Sequence, residues 1–348
     1  MKIKKKLIKN DNQKIYSIEF ENDNGFKIKF LNFGCYIQSI IIPYPDLKKS
    51  EDVIIGYENL KDIINDKSYF NSVIGRVAGR ISNSFFILNK KKYLLSNNDK
   101  KNHIHGGTRG FNKKIWEIIK IVKNSNSISC LMYYNSADLE EGYPGNLKCF
   151  VEYQLNNNNQ IIINYKAISD KNTLVNLTNH NYWNFNGHNK HYGNIYNHLA
   201  LIKADKYCEI NKKLLPTGRI IKVKGTKLNF NSFKKINPKV LKSSGIDNYF
   251  IQNKKNNQIS KIAEVYSPLT KMGMTIYSNQ PGVQFYSGNN MKSKYKGKKG
   301  KYYGVHYGLC FEPQKYPNAI NINNFPSIIL KKGDIYNSKI KICLKNKY

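Results

Sequence analysis

Apolar and polar residues alternate with a period of two along much of this sequence. Runs with this pattern are rich in β-branched and aromatic residues, which favour β-strands. The clearest predicted strands cover residues 26–30, 36–42, 128–134, 148–155, 160–169 and 335–345. Residues 148–169 predict a hairpin whose turn is the asparagine run 156–159. Only residues 57–66 have a helical pattern, and that segment is short.

The order of these elements predicts one large domain. No strand–helix–strand alternation appears, which disfavours a doubly wound fold. No stretch rich in Pro, Gly and Ser divides the chain, and the basic loop at residues 292–301 is expected to be a surface insertion. We therefore predict a single domain over residues 1–348. Its fold class is all-β, a large antiparallel β-sandwich with long loops and few short helices.

The formal net charge of +34 changes this picture little. Such an excess of positive charge favours an anionic partner, such as nucleic acid or a phosphorylated substrate. However, the lysines are spread over the whole sequence together with abundant Asn, Ile and Tyr. No arginine-rich helix and no RNA-binding aromatic signature accompanies them. We interpret the charge as compositional and predict no specific nucleic-acid partner.

The cysteines and the apolar segments indicate a compartment. The six cysteines are far apart and form no C-x-x-C pair, so neither a zinc knuckle nor a disulfide framework is indicated. Residues 1–9 are basic but lack the apolar stretch of roughly 7–15 residues found in a signal peptide. No segment approaches the roughly 20 apolar residues of a membrane span. We expect a cytoplasmic protein in a reducing environment.

Residues 177–187 contain the first candidate for chemistry. They place His180 among amides and aromatic rings directly after a strand-like run. Amides can hold hydroxyl groups, rings can cover the apolar face of a sugar, and an imidazole can transfer a proton. A strand-end histidine is more often structural than catalytic, so this segment alone is ambiguous.

Glu312 is the second candidate, because the apolar residues 309–311 precede it and predict a buried strand. Carboxylates are seldom buried without a partner or a purpose. Desolvation would raise its pKa towards the range in which a carboxylate acts as a general base. A buried salt bridge with one of the many lysines is the alternative, and these residues alone do not decide between the two.

Four further polar residues each have two interpretations. Arg80 follows glycine in the loop at residues 75–81 and is either a surface cation or a group that binds hydroxyls. His103 and His105 would share one face of a strand and could begin a metal site, but the glycines after His105 instead favour close backbone approach to a ligand. Asp247 is either a turn residue or a ligand contact.

Taken together and in this order, these segments resemble the aldose 1-epimerase (galactose mutarotase) family over roughly residues 26–345. The shared motifs are the G-R-x-A-x-R-I loop, the H-G-G-x-x-G-F segment, the E-E-G-Y-P-G-N-L segment at 140–147, the L-T-N-H segment, the Q-P-G-x-Q-F-Y segment and the carboxylate in F-E-P-Q. The resemblance implies the large β-sandwich of that family, the mutarotase-like supersandwich, and interconversion of the anomers of free hexoses without cofactor or metal.

Carried over by the resemblance, Glu312 is the general base for the C1 hydroxyl and His180 is the general acid for the ring oxygen. His105 shares in binding that end of the sugar. Arg80, Asp247 and Gln284 hold its hydroxyls, with Tyr182 nearby. The expected partner is a small-molecule hexose, and the expected assembly is a monomer or a homodimer.

The sequence also departs from the family pattern. Gly79 stands where the family commonly has Asn, which removes one hydroxyl contact, and Asn112 replaces a common Asp. Two alternatives to a free-hexose mutarotase stay open: a mutarotase for hexose 6-phosphates, and a sugar-binding protein without turnover. The retention of both Glu312 and His180 disfavours the second alternative.

Overall fold

The computed structural model describes residues 1–10, 14–45, 48–188, 193–241, 244–253 and 258–347. The first strands are β1 (Lys2–Asn10), β2 (Lys14–Glu21), β3 (Lys27–Leu31), β4 (Ile37–Pro43), β5 (Ser50–Asp52), β6 (Val73–Ile74), β7 (Arg80–Ile81), β8 (Phe85–Leu88) and β9 (Lys91–Leu94). There follow β10 (His103–Ile104), β11 (Glu117–Lys123), β12 (Ser127–Ser136), β13 (Leu147–Asn156), β14 (Gln160–Ser169), β15 (Thr173–Leu174), β16 (Thr178–Asn179), β17 (Leu199–Ile202) and β18 (Lys206–Ile210). The last are β19 (Pro216–Lys222), β20 (Lys234–Lys235), β21 (Asp247–Ile251), β22 (Ser260–Tyr266), β23 (Gly273–Ser278), β24 (Gly282–Tyr286), β25 (Cys310–Gln314), β26 (Ile329–Leu330) and β27 (Ile335–Lys345). The described helices are α1 (Leu60–Asn65) and α2 (Pro238–Leu241).

Three sheets build most of the molecule. A nine-stranded sheet has the order β11-β12-β13-β14-β27-β23-β22-β17-β20. One five-stranded sheet has the order β1-β2-β3-β4-β5, and the other has the order β19-β18-β21-β24-β25. The strand pairs within these sheets are antiparallel, as the alternating pattern predicted. The all-β sandwich predicted from the sequence is confirmed.

The core lies between these sheets, because each contributes its alternate apolar side chains to it. Phe30 of the first sheet packs edge-on against Tyr153 of the nine-stranded sheet, with ring centroids 5.1 Å apart. Phe285 and Phe311 bring the third sheet into the same apolar cluster. One continuous core therefore joins the sheet that carries the pocket described below to the rest of the sandwich.

The predicted local elements agree with the structure, with one exception. The hairpin of β13 and β14 turns at the asparagine run, and α1 lies within the predicted helical segment. The basic loop at 292–301 is not wholly a surface insertion, because Lys298 is buried. Its Nζ donates to Asp52 Oδ2 at 2.6 Å and to the Ile54 carbonyl at 2.8 Å. A lysine surrounded by glycine and other cations gives no local sign of such a partner.

The six cysteines are free thiols, and five of them are buried. Cys130 and Cys149 point into the core from neighbouring strands, where they act as small apolar side chains. None of the helices in the described ranges is both long and apolar enough to cross a membrane.

Candidate active site

The floor of a pocket is formed by three adjacent strands, β21, β24 and β25. Phe285 and Phe311 stack on the core side with ring centroids 4.8 Å apart. Side chains alternate along a strand, so Gln284 and Glu312, which are paired across β24 and β25, face the opposite side. Asp247 of β21 lines the same pocket. Alternation along three strands thus brings two carboxyl groups and an amide into one cavity of about 260 Å³.

His180 enters this cavity from the opposite wall, directly after β16. Its backbone N–H donates to the Ser72 carbonyl at 3.0 Å, and its carbonyl accepts from the Asn71 N–H at 3.0 Å. The preceding residue, Asn179, accepts a hydrogen bond from the Tyr165 hydroxyl in the core. Anchored on both sides, the imidazole places Nε2 3.6 Å from Glu312 Oε1. His180 and Glu312 are 5% and 2% exposed, so this pair is buried.

Burial acts on the two members of this pair in opposite directions. Desolvation raises the pKa of Glu312 well above its usual value, Asp247 raises it further, and Arg80 opposes both. Desolvation lowers the pKa of His180 to about 4. Each charged form is disfavoured alone, whereas their mutual attraction favours the ion pair. Burial therefore favours the pair in which the proton is on Glu312, and the attraction between the charged forms opposes it.

Among the described residues, Glu312 has no lysine partner. No Lys or Arg ion pair to its carboxylate occurs within the described ranges, and its Oε2 is buried without a hydrogen-bond partner. The buried salt bridge that the sequence left open is therefore not what holds this carboxylate. On the far side of His180, Cys310 Sγ lies 3.5 Å from Nδ1. Burial raises the pKa of this thiol well above its usual value, so it is a neutral neighbour of the imidazole.

Arg80 lies at the rim of the pocket and is held by two carboxylates. Its Nε donates to Asp99 Oδ2 at 2.7 Å, and one terminal nitrogen lies 3.9 Å from Asp247 Oδ2. Gln284 Nε2 donates to Asp247 Oδ1 at 2.7 Å. Burial raises the pKa of Asp247, while Arg80 and Gln284 lower it. These groups form a connected polar rim that can present donors and acceptors to ligand hydroxyls.

His105 and His103 are not a ligand pair. His105 has a φ of 53° directly after the two-residue strand β10, so the alternation that would put both rings on one face is broken. The His103 ring lies in a separate buried network, where Nε2 accepts from the Tyr143 hydroxyl at 2.7 Å. No cluster of three or more potential metal ligands occurs in the part of the chain that is described.

The His105 ring lines the pocket and stands edge-on to His180, with centroids 5.2 Å apart. The Gly79 N–H donates to its Nδ1 at 3.3 Å, which leaves the ring proton on Nε2 as a donor. Burial lowers the pKa of His105 well below its usual value, and His180 and Arg80 lower it further, so the ring is neutral. Gly106 is required behind it, because a Cβ there would overlap the Gly75 carbonyl.

Aromatic rings enclose the acid–base pair. Tyr182 stacks on His180 with centroids 4.9 Å apart, and its hydroxyl donates to the Ser68 carbonyl at 3.0 Å. Tyr69 stands over both histidines, 4.7 Å from His105 and 6.4 Å from His180 between ring centroids. Sequence reasoning missed Tyr69, Asp99, Tyr286 and Gln314. Tyr286 and Gln314 lie in motifs that were noticed, whereas Tyr69 and Asp99 lie in loops without any regular pattern.

The remaining recognised motif supports the pocket from outside. In the E-E-G-Y-P-G-N-L segment, Glu141 accepts from the backbone N–H groups of Thr108 and Arg109 at 3.1 and 2.8 Å. It thereby holds the loop that follows His105. Glu140 accepts from Lys114 and from the Tyr134 hydroxyl. This motif is therefore a brace for the His105 loop and does not line the cavity.

A small cavity with a buried carboxylate–imidazole pair and a polar rim is typical of an enzyme that transfers protons on a polyhydroxylated ligand. The sequence model of the family described as aldose 1-epimerase matches residues 16–343. The chain is 36% identical to a galactose mutarotase of Sus scrofa over 314 residues, 89% of each protein. It is 30% identical to an aldose 1-epimerase of Escherichia coli K12 over 336 residues, 94% of each.

Comparison with solved structures leads to the same family. The structure is similar to that of a GalM/aldose epimerase homologue from C. elegans, with a TM-score of 0.85, 28% identity and coverage of 95% of this chain and 99% of that one. A galactose 1-epimerase from Lactobacillus acidophilus has the same fold, with a TM-score of 0.83 at 24% identity and coverage of 100% and 99%. The chain belongs to the aldose 1-epimerase family and is an isomerase.

Proposed function

We propose that this protein interconverts the α and β anomers of free hexoses, galactose and glucose, with Glu312 as general base and His180 as general acid. The observation that carries the proposal is the 3.6 Å approach of His180 Nε2 to Glu312 Oε1 inside the enclosed pocket. Anomer exchange needs a proton removed at one oxygen and a proton added at another. A facing carboxylate and imidazolium supply both groups.

The proton transfers balance over one cycle. Ionised Glu312 takes the proton from the C1 hydroxyl while protonated His180 gives its proton to the ring oxygen, and the C1–O5 bond breaks. The open aldehyde turns about the C1–C2 bond. On reclosure, His180 takes back the proton of the C5 hydroxyl, O5 attacks the opposite face of C1, and Glu312 returns its proton to the carbonyl oxygen. Both residues end in their starting states.

The opposed pKa shifts suit this cycle. Ring opening converts the pair from carboxylate and imidazolium to carboxylic acid and neutral imidazole. Burial raises the pKa of Glu312 and lowers that of His180, so it stabilises the second state relative to the first. The ion-pair attraction has the opposite effect. Opposing effects therefore act on the two protonation states of the pair, and a reversible isomerisation uses both states.

The rim residues have binding roles in this proposal. Arg80 and Asp247 offer a cation and a carboxyl group to the ring hydroxyls, and Gln284, whose Oε1 is buried without a partner, offers an amide oxygen. Neutral His105 donates from Nε2 towards the anomeric end. Tyr182 has its hydroxyl engaged with Ser68, so it contributes its ring face and the orientation of His180.

The hexose 6-phosphate alternative has less support. A phosphate is bound by unpaired cations. The cations among the described residues that line the pocket are Lys67 and Arg80. The charge of Arg80 is already balanced by Asp99 and Asp247, which leaves a single lysine to neutralise a phosphate. The non-catalytic alternative is also disfavoured, because a sugar-binding protein does not need a buried carboxylate facing an imidazole.

Three further expectations belong to the same proposal. Residues 1–348 form one domain, which the continuous core between the sheets supports. The setting is a reducing cytoplasm, which the six free cysteines support. The enzyme works as a monomer or a homodimer on a small-molecule hexose, with no specific nucleic-acid partner.

Polarimetry tests the proposal. Freshly dissolved α-D-galactose or α-D-glucose is mixed with catalytic amounts of protein, and the decay of optical rotation is followed. Wild type should accelerate the decay. Glu312→Gln should lower kcat by about 10²–10⁴-fold, the usual contribution of a positioned acid or base. Glu264→Gln, a change at a buried carboxylate outside the pocket, is the matched control and should keep the rate.

Two results would contradict the proposal. An unchanged decay with wild type on both sugars would exclude mutarotase activity on free hexoses. Full activity in a folded Glu312→Gln variant would remove the carboxylate from the mechanism. Thermal unfolding of each variant separates a loss of catalysis from a loss of folded protein.

A further inference from the structure

Gln314 is a polar side chain of the pocket that the acid–base mechanism does not use. It lies on β25 two residues after Glu312, so both side chains face the cavity. It is 1% exposed. Its Oε1 is buried without a hydrogen-bond partner.

An unpartnered amide oxygen at this depth is unusual. Most buried polar side chains are hydrogen-bonded, because an unsatisfied donor or acceptor keeps its full desolvation cost of roughly 1–3 kcal/mol. Gln284 Oε1 and Glu312 Oε2 of the same pocket are also buried without partners. Three unpartnered oxygens around one cavity are expected where ligand hydroxyls complete the hydrogen bonds.

The residue of the pocket wall next to the Gln314 amide is a glycine, Gly79, which has no side chain. Gly79 has a φ of +77°, and a Cβ built on it would lie 3.6 Å from Gln314 Nε2 and 3.0 Å from Pro317 Cβ. A side chain there would extend into the space beside the amide. Glycine therefore leaves the amide of Gln314 open to the pocket, next to Arg80, whose guanidinium stands at the rim.

We propose that Gln314 is a substrate-binding residue whose amide hydrogen-bonds a ring hydroxyl other than the anomeric one, through the space that Gly79 leaves open. The spacing supports a hydroxyl away from C1, because two residues along a strand span about 6.6 Å. Glu312 occupies the anomeric end, so Gln314 reaches the substrate further round the ring. This inference rests on the proposed mutarotase function and adds a contact to it.

The test combines one variant with a set of altered sugars. Gln314→Met keeps an unbranched side chain of similar length but removes both polar atoms. The value of kcat/KM is measured by polarimetry for galactose and for its 2-, 3-, 4- and 6-deoxy forms, with wild type and variant. We expect Gln314→Met to lower kcat/KM for galactose about 5- to 20-fold, the effect of one lost hydrogen bond to a buried partner.

The loss should disappear for a single deoxy sugar, the one that lacks the contacted hydroxyl, because nothing remains for the amide to bind. An equal loss for every sugar, or no loss for galactose, would overturn the proposal. Gln280→Met is the matched control, since Gln280 is also a buried glutamine with an unpartnered Oε1 but does not line the pocket. Its kcat/KM should equal that of wild type for every sugar.

A second variant covers the case in which Gln314→Met does not fold. Gln314→Asn keeps an amide but shortens the side chain by one methylene, so the amide no longer reaches the same hydroxyl. It should lower kcat/KM for galactose while leaving the value for the same single deoxy sugar nearly unchanged. A uniform change across the sugars would again overturn the contact. Inactivity of wild type on every sugar would instead contradict the proposed function, so the two failures are distinguishable.

Discussion

Two arginines of one loop, Arg76 and Arg80, occupy opposite kinds of environment. Arg76 is 2% exposed and donates to the carbonyls of four residues, 136, 137, 144 and 145, at 2.7–2.9 Å. Its Nε also donates to the Ser136 hydroxyl at 2.9 Å. Arg80 instead stands at the pocket rim, where its polar partners are the carboxylates of Asp99 and Asp247.

The difference between Arg76 and Arg80 shows how an arginine that stabilises the fold differs from one that can bind a ligand. The backbone acceptors of Arg76 all lie within residues 136–145, and Thr173 Oγ1 accepts a further hydrogen bond at 3.3 Å. Burial lowers the pKa of Arg76, with Glu140 and Asp138 nearby opposing that shift. Such an arginine fastens the loop at 136–145 to the core. The side chain of Arg80 is 18% exposed and leaves part of its guanidinium towards the cavity. A cation with unused donors beside an enclosed pocket is suited to a ligand.

Arg76→Met should give the largest effect, and it should be on stability. The change leaves three buried carbonyls and one partly buried carbonyl without this donor, and unsatisfied buried groups cost roughly 1–3 kcal/mol each before relaxation. We expect a loss of about 3–5 kcal/mol in the free energy of unfolding, measured by urea denaturation. A loss below about 1 kcal/mol would mean that water replaces the guanidinium and that Arg76 is not a structural fastener.

Arg80→Met should lower the activity and leave the stability nearly unchanged. Its ion pairs lie at the rim, where such pairs contribute at most about 1 kcal/mol to stability. Removing one charged hydrogen-bond donor from the substrate should lower kcat/KM for galactose about 10–100-fold. Polarimetry and urea denaturation of the two arginine variants, measured side by side, check the contrast. If Arg80→Met also loses several kcal/mol, the distinction between the two environments fails.

The acid–base pair predicts a pH dependence of stability. The folded-state pKa of Glu312 is raised above its usual value of 4.5, so the folded protein holds this proton more tightly than the unfolded chain. The resulting stabilisation is complete below the unfolded pKa and is lost as pH rises through the folded pKa. Gln cannot ionise. The Tm of Glu312→Gln relative to wild type should therefore rise as the pH increases above 4.5, the usual pKa of this carboxyl group. A Tm difference that stays constant or decreases as the pH rises would show that the ion pair with His180 outweighs desolvation.

The smallest expected effect concerns metal. His103 is engaged with Tyr143, and His105 faces the pocket, so these rings do not converge on one point. Incubation with EDTA should leave kcat unchanged, with dialysed protein as the control. Activity that falls with EDTA and returns with added Zn²⁺ would restore the metal interpretation of this histidine pair.

The strands and most pocket residues were predictable because their signals are local. The alternation of apolar and polar residues in 147–169 predicts a hairpin without reference to the rest of the chain. An acidic residue within the apolar run of β25 indicates a buried carboxylate with a functional or structural role. The rest depended on distant partners. The deep burial of Lys298 required Asp52, and the unpaired state of Gln314 required a missing side chain at Gly79. Neither partner is near in sequence.

The sequence by itself determined the all-β class, the family and the residue types of the site, because periodicity and ordered motifs are properties of the chain read locally. Only the tertiary structure decided which of two similar residues reaches the pocket. A positive φ at His105 separates it from His103, and a four-residue step separates Arg76 in the core from Arg80 at the rim. It also brought His180 to Glu312, since long-range strand pairing and burial set both their distance and their opposed pKa shifts.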